Sequence, residues 1–274
     1  MAITAADISK LRTATGAGML DCKNALVEAE GDFDKAVDIV RKKGLAIANK
    51  RADREATEGV VLARVSADGK KGALIVLNCE TDFVAKNEGF VKLAEGFLNA
   101  ALVNTPATLE DLKAIVVDGM TIGDKTTEQT AVVGEKIDLS FYQSLTAAQV
   151  VAYIHQGNKL STLVAFNQTL PEQVGRDVAM QVASMAPVAV SADEVSPELL
   201  AREKEIAKEL ARNEGKPENM LEKIAEGRIQ KFYKESTLLE QAFVKDNKKS
   251  IKQYLSDTSK DLTATAFVRY SLNN

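Results

Sequence analysis

The scarcest features of this 274-residue chain are one histidine, two cysteines and no tryptophan. A lone His155 cannot supply a multi-histidine metal site, and no cysteine and histidine spacing resembles one. Neither G-x-x-x-x-G-K-[ST] nor G-x-G-x-x-G occurs, so no phosphate-cradling loop is visible and no cofactor is implied. No apolar run approaches the ~18 residues of a membrane span. Residues 1–10 lack the charged and apolar regions of a secretory signal and are not an Arg/Ser-rich transit peptide. A basic field is also missing. The net charge is −4, which argues against nucleic acid as the main partner, because phosphate binding needs positive charge. Cys22 and Cys79 sit in apolar-periodic surroundings and are expected to be buried thiols of a reducing cytosol, not a redox pair.

What is present is enough for two or three domains. Apolar residues make up 45% and charged residues of both signs 27%, the balance of a soluble globular protein. Residues 1–54 read as helices only. Thr4 can cap a first helix with Asp7 at the third position, and Ile8 and Leu11 share its inner face. The run Thr15-Gly16-Ala17-Gly18 breaks it. Met19, Cys22, Leu26 and Ala29 follow at helical spacing, and Gly31 ends that helix. Asp32 caps a third helix with Phe33, Ala36, Val37 and Val40 inward and Gly44 after it, before a charged helical linker. Three short helices in ~40 residues make a small bundle with little core.

Residues 55–140 change character. Two apolar runs, Gly59 to Ser66 and Gly72 to Cys79, flank an Asp68-Gly69 turn and read as a hairpin. Phe90, Leu93, Ala94, Phe97, Leu98 and Ala101 then mark an amphipathic helix, and two shorter helices follow over 108–116 and 126–137. Residues 141–190 repeat the plan, with strands around Gly157-Asn158 and a helix carrying Val174, Val178, Val182 and Met185. Leu74 to Asn78 (LIVLN) and Leu163 to Asn167 (LVAFN) occupy equivalent places, a weak internal duplication. Residues 191–235 read as two charged helices around Gly215-Lys216-Pro217. One seam is Leu199, Leu200, Ile206 and Leu210; the other is Met220, Leu221, Ile224 and Ile229. Residues 236–274 add a helix and a strand expected to complete the second sheet. The fold class is therefore α+β.

One stretch resists a purely structural reading. Leu77 to Phe90 (LNCETDFVAKNEGF) hands a strand to a helix, a place for small polar residues, yet it carries Phe83 beside Asp82. The bland alternatives are a ring stapled onto its own helix and an acid that caps it. The duplicated junction, Gln168 to Gln173, has no Asp-Phe pair, so the strand-to-helix turn does not require one. For His155 a structural role beside a turn competes with a catalytic one, which would need a nucleophile and an orienting acid. For the helical hairpin a solvated surface competes with a protein contact. The Lys42 to Arg54 stretch reads as a solvated linker, not a phosphate patch, because acids interleave.

These motifs resemble a known family. Leu11 to Leu26 (LRTATGAGMLDCKNAL) and Leu77 to Asn87 (LNCETDFVAKN) are similar to the two signatures of the bacterial elongation factor Ts family. Tyr153 to Val164 and Leu238 to Asp246 match it in order and spacing. The resemblance implies a three-helix N-terminal domain like ubiquitin-associated modules, two related α+β core subdomains, and an antiparallel helical hairpin inserted in the second. It implies guanine-nucleotide exchange on elongation factor Tu, GDP-bound and nucleotide-free, without catalytic chemistry and in the cytoplasm. The family's partner-binding stretch matches Thr81, Asp82, Phe83 and Val84, which in the family disturb Mg²⁺ coordination in the partner. Met19 and Lys23 match positions near the partner's GTPase domain, and His155, Gln156 and Gly157 match a turn facing its third domain. Here the chain departs from the family, which commonly has a glycine pair after the histidine and a glycine at the place of Ser161. Many members also carry a further C-terminal helix that grips the partner, a contact expected to be absent here. The hairpin's open alternatives are pairing of two copies and service to another partner. Rival readings are a ubiquitin-binding adaptor built on residues 1–54 and a hydrolase using His155.

Overall fold

The computed structural model describes residues 3–273; Met1 and Ala2, where the reading of the N-terminus begins, and Asn274 lie outside it. It is a mixed helix and sheet protein that divides into two compact units. Of the described residues, one unit holds 3–62, 75–143 and 272–273, and the other 63–74 and 144–271.

In the first unit, α1 (Ala5–Thr15), α2 (Met19–Glu28) and α3 (Phe33–Lys50) form the N-terminal bundle. Thr4 and Asp7 make a reciprocal capping box, Gly16 ends α1 in the left-handed conformation, and Asp32 accepts from the Lys35 amide. The bundle core is thin: Leu11, Cys22, Ala25, Leu26, Ala29, Ala36 and Val40. Two expectations are corrected. Gly44 does not end α3, which continues to Lys50 and absorbs the first six residues of the expected linker; residues 51–57 are turn and coil. A side chain at Gly44 would stand 2.9 Å from the Ala131 Cβ, so this glycine serves close helix packing. Met19 does not join the buried seam of α2; it is 49% exposed at the helix start.

The hairpin forms as expected, with β1 (Glu58–Val65) and β2 (Lys71–Cys79). After it come α4 (Asp82–Ala85), α5 (Glu88–Asn104) and α6 (Leu109–Ala114). A small ribbon of β3 (Val116–Val117) and β4 (Met120–Thr121) around Asp118-Gly119 was not expected. It leads into α7 (Ile122–Val133), which begins earlier and stops earlier than the sequence reading. The largest omission is β5 (Asp138–Thr146), which crosses the expected boundary at residue 140. Its polar face, with Ser140 and Ser144 exposed, and the exposed Gln143 on the opposite face hide its alternation. The sheet order is β1-β2-β5.

In the second unit, β6 (Gln149–Ile154) and β7 (Leu160–Phe166) form the second hairpin, followed by α8 (Glu172–Met185). Then come α9 (Pro197–Asn213) and α10 (Leu221–Ser236), the short β8 (Ala242–Phe243) and β9 (Asp246–Ser250), α11 (Ile251–Thr258) and β10 (Ala264–Ser271). The sheet order is β10-β7-β6, with β10 antiparallel to β7 (Val268 opposite Leu163), so the C-terminal strand completes this sheet. LIVLN and LVAFN are thus both middle strands of three-stranded sheets.

The paired helices α9 and α10 run antiparallel, as the ion pairs Arg212–Glu218 and Lys208–Glu222 at successive levels require. Their seam is only in part the one expected: Leu221 is buried and Leu199, Leu200, Ile224 and Ile229 are half-buried. Ala207, Ala211, Leu221 and Ala225 are buried, whereas Ile206, Leu210 and Met220 are exposed. Small side chains let the helices approach closely, and the larger residues are displaced to the flanks.

A buried carboxylate organises the second unit. Asp177 on α8 accepts from Lys245 Nζ (2.7 Å), Gln173 Nε2 (2.7 Å) and the Tyr254 hydroxyl (2.9 Å). Burial pushes its carboxyl up, but the three donors outweigh burial and hold it below the ordinary 3.8. Its stabilising contribution is therefore full above 3.8 and is lost as pH falls through the folded value. Tyr254 is pushed up to about 12, by burial first and then by Asp177. Asp177→Ala leaves the half-buried Tyr254 hydroxyl without its acceptor, while the exposed Lys245 turns to water, and should cost about 2 kcal/mol in urea unfolding at neutral pH. The loss should shrink in acid, and ultraviolet titration of Tyr254 should move downward. An unchanged unfolding midpoint would contradict this account.

Candidate functional site

The candidate site is the turn between β2 and α5, at the C-terminal end of the middle strand of the first sheet. Residues 73–79 of β2 are all buried, so the strand end is fixed. At that end the buried Asn78 donates from Nδ2 to the Glu58 carbonyl (3.1 Å), and the Ser140 hydroxyl donates to Asn78 Oδ1. The sheet therefore delivers the chain to residue 80 in one direction.

Residues 80 and 81 are then held by two carboxylates. Glu135 follows Gly134, which ends α7 in the left-handed conformation and turns the chain towards the loop. Glu135 takes two bonds from one residue: the Thr81 amide to Oε2 (3.0 Å) and the Thr81 hydroxyl to Oε1 (2.8 Å). Glu80 accepts from the Lys136 amide (2.6 Å) and from Arg51 Nη1 (2.8 Å) on Oε1, with Arg54 Nη1 3.8 Å from Oε2. The Lys136 amide, and then Arg51, keep the Glu80 carboxyl below its ordinary range. Lys136 Nζ donates to the carbonyls of Ala52 (2.7 Å) and Arg54 (3.0 Å). Behind the loop the Cys79 thiol donates to the Thr81 carbonyl (3.1 Å). Burial pushes that thiol up to about 12, with the Glu135 and Glu58 charges adding, so it is inert at neutral pH.

Thr81, not Asp82, is the cap of α4: its hydroxyl accepts weakly from the Val84 amide at 3.5 Å. Asp82 is a first-turn acid whose Oδ2 meets Lys86 Nζ at 2.5 Å. This pair is exposed, and such pairs are weak. A partner could take over the carboxylate at small cost. Val84 is half-buried and Ala85 buried. Asn87 Oδ1 then caps α5 from the Gly89 amide (2.8 Å). Between these anchors Phe83 is 83% exposed, the most exposed large apolar side chain among the described residues. It is not stapled to its own helix. At the duplicated junction Leu170 instead packs against the core of its unit.

The other candidates are placed as follows. Met19 and Lys23 lie one turn apart on the outer face of α2, with Val27 one turn further, 58% exposed. They belong to the same compact unit as the loop. His155, Gln156 and Gly157 are exposed at the β6–β7 turn in the other unit. His155 Nδ1 lies 2.9 Å from the Tyr153 hydroxyl at this exposed turn. A cavity of about 420 Å³ opens elsewhere in the first unit, lined in part by Val40, Arg41, Met120, Glu128 and Val132; the 81–84 loop does not line it. Among the described residues no group of three or more acids, histidines and cysteines could hold a metal, and no helix is long and apolar enough to cross a membrane.

The clamp itself, Glu80, Glu135, Lys136 and Arg51, was missed by sequence reasoning. The available signal was Gly134 before a charged pair, a helix stop inside a stretch read as helix.

The turn is thus anchored on both sides and carries a bare aromatic ring between its anchors. Comparison with known proteins agrees with the sequence signature that surrounds this ring. The family described as Elongation factor TS matches residues 80–274. Elongation factor Ts of Porphyromonas gingivalis is 52% identical over 276 aligned positions, covering 100% of this chain and 99% of the relative. The protein of the same name from Amoebophilus asiaticus is 52% identical with 98% of each chain covered, and that from Chloroherpeton thalassium is 44% identical with 98% of each covered. On these matches the chain belongs to the elongation factor Ts family.

Proposed function

We propose that this protein binds elongation factor Tu in its GDP-bound and nucleotide-free states and promotes release of GDP, so that GTP replaces it during polypeptide elongation. The observation that carries the reading is Phe83, 83% exposed at the tip of a turn whose backbone is clamped on both sides. A translational GTPase holds GDP through backbone amides, a lysine and Mg²⁺. An exchange factor needs no acid-base chemistry. It must bind the nucleotide-free state more tightly than the GDP state, and by linkage it then weakens GDP by the same factor. A rigid ring pushed between packed elements of the partner does this with few rotamers to order and can shift such an element in a discrete step. Asp82, beside the ring, competes for donors around the partner's Mg²⁺.

In this reading Met19 and Lys23 meet the partner's GTPase domain, and His155, Gln156 and Gly157 meet another of its domains. Residues 1–54 act as a module like ubiquitin-associated domains, and the sheets around β2 and β7 are the centres of two related subdomains. The helices α9 and α10 form an inserted hairpin open to a second copy of the chain. The protein works in the cytoplasm without contacting nucleic acid or membrane directly. The test is release of a fluorescent GDP analogue from elongation factor Tu. Addition of this protein at sub-stoichiometric concentration should accelerate release many-fold, and a release rate independent of its concentration would refute the proposal.

A further inference from the structure

We propose that Glu135 is a positioning residue for the aromatic tip: its carboxylate fixes Thr81, and through Thr81 the direction in which Phe83 leaves the molecule. This inference rests on the exchange reading for its effect on GDP release, but not for its effect on the loop.

The argument begins with what an 83% exposed ring lacks. Phe83 makes too little contact with its own chain to hold itself in place. Its direction must come from the backbone of residues 81–85, and α4 is a single turn of four residues, too short to be stable alone. The Thr81 cap bond to Val84 is long at 3.5 Å and orders the turn only weakly. The strong contacts are the two to Glu135, 2.8 and 3.0 Å, charge-assisted and made by both oxygens to two donors of one residue. A two-point attachment fixes orientation as well as distance. Glu135 is itself held by its position between Gly134, in the left-handed turn, and Lys136, whose amide and ammonium groups are engaged by Glu80 and by the carbonyls of Ala52 and Arg54.

The consequence is preorganisation. A loop already ordered in the free protein loses little freedom on binding, so it reaches half-maximal effect at lower concentration. Once the partner is saturated it can impose the same loop conformation by its own contacts. Removing the clamp should therefore raise the concentration needed far more than it lowers the maximal rate.

The experiment compares Glu135→Ala, Glu135→Gln and Phe83→Ala with the unaltered protein, each checked for an unchanged circular dichroism spectrum. Amide hydrogen exchange is followed in the free protein, and fluorescent-GDP release is followed over a range of factor concentrations. For Glu135→Ala, amides of residues 81–86 should exchange about tenfold faster or more, while those of residues 74–77 in β2 stay protected. The half-saturating concentration should rise about tenfold, with the maximal release rate within about twofold. Glu135→Gln keeps one acceptor oxygen and should recover part of both effects, and it serves alone if the alanine variant does not fold. Unchanged loop protection in both Glu135 variants overturns the proposal. So does faster loop exchange with unaltered GDP release, provided Phe83→Ala impairs release. If Phe83→Ala leaves release intact, the ring's role in exchange has failed instead, and loop protection alone then decides whether Glu135 orders the turn; release that does not depend on factor concentration marks failure of the exchange reading itself.

Discussion

Phe83→Ala should slow factor-stimulated GDP release from elongation factor Tu by about 30-fold at sub-saturating concentration and leave the stability of the protein unchanged. The two halves of this result come from the same number. A side chain that is 83% exposed gives almost no apolar burial to the fold, so its removal should shift unfolding by no more than about 0.5 kcal/mol. An aromatic anchor that becomes buried on a partner is another matter, because truncation of such a residue typically costs about 2 kcal/mol or more. At about 1.4 kcal/mol per factor of ten, that is about 30-fold. Phe83→Leu should fall between, since it keeps apolar volume but loses the flat, stiff ring. Asp82→Asn should have a smaller effect than Phe83→Ala, because the Asp82 carboxylate is exposed and its ion pair with Lys86 contributes little to the loop. Stopped-flow release traces at several factor concentrations measure all three. If Phe83→Ala left the rate within twofold of the unaltered protein, the ring would not act on the partner.

The contrast between Phe83 and its surroundings also explains which parts of the molecule were legible in the sequence. Strong local signals were read correctly. The Thr4–Asp7 box, the Asp32 cap, the Asp68-Gly69 turn and the apolar spacing of Phe90 to Ala101 each name their structure through contacts within a few residues. The oddity of an aromatic ring at a polar junction was legible for a different reason, because the duplicated junction without it served as an internal control. What sequence could not give was long-range. Glu135 meets Thr81 across 54 positions and Lys136 meets Glu80 across 56, and no local pattern marks either pair. The hairpin seam was legible only in part, through Leu221, because alanines carry little hydrophobic signal, although Ala207, Ala211 and Ala225 occupy the interface. β5 was missed because a strand polar on one face and broken by Ser140 and Gln143 resembles a loop. The "LLEQAFVKD" motif, matched only by resemblance, has a structural account. Leu238, Gln241 and Phe243 are buried, and Gln181 both donates to the Gln241 side chain (3.2 Å) and accepts from the Val244 amide (2.9 Å).

Gly59→Ala should be the most destabilising single-methyl addition in the first unit, costing about 3 kcal/mol or more. Gly59 lies on β1 with φ at +147°, a conformation that side chains rarely adopt, and strain of this kind costs on the order of 1–3 kcal/mol. A Cβ there would also stand 2.2 Å from the Leu77 carbonyl oxygen and 2.8 Å from the Asn78 Cα. These are backbone atoms of the neighbouring strand, so no side-chain rotation relieves the overlap, and the strands must part; overpacking of this sort adds about 1–3 kcal/mol. Gly69→Ala separates the two terms. Gly69 also has positive φ (+70°), but nothing lies within 4 Å of its added methyl, so only the conformational cost remains, about 1 kcal/mol. Urea unfolding of both variants measures the difference, and equal midpoints would show that the close approach of β1 to Leu77 and Asn78 is not rigid. The position matters for function because Asn78 is two residues from Glu80 and is tied to Glu58. Strands forced apart there should tilt the base on which the Glu80 and Glu135 clamp is built. In the fraction of Gly59→Ala that still folds, amides of residues 81–86 should therefore lose protection, as they do when Glu135 is removed. Gly69→Ala, at the far end of the hairpin, should leave them protected.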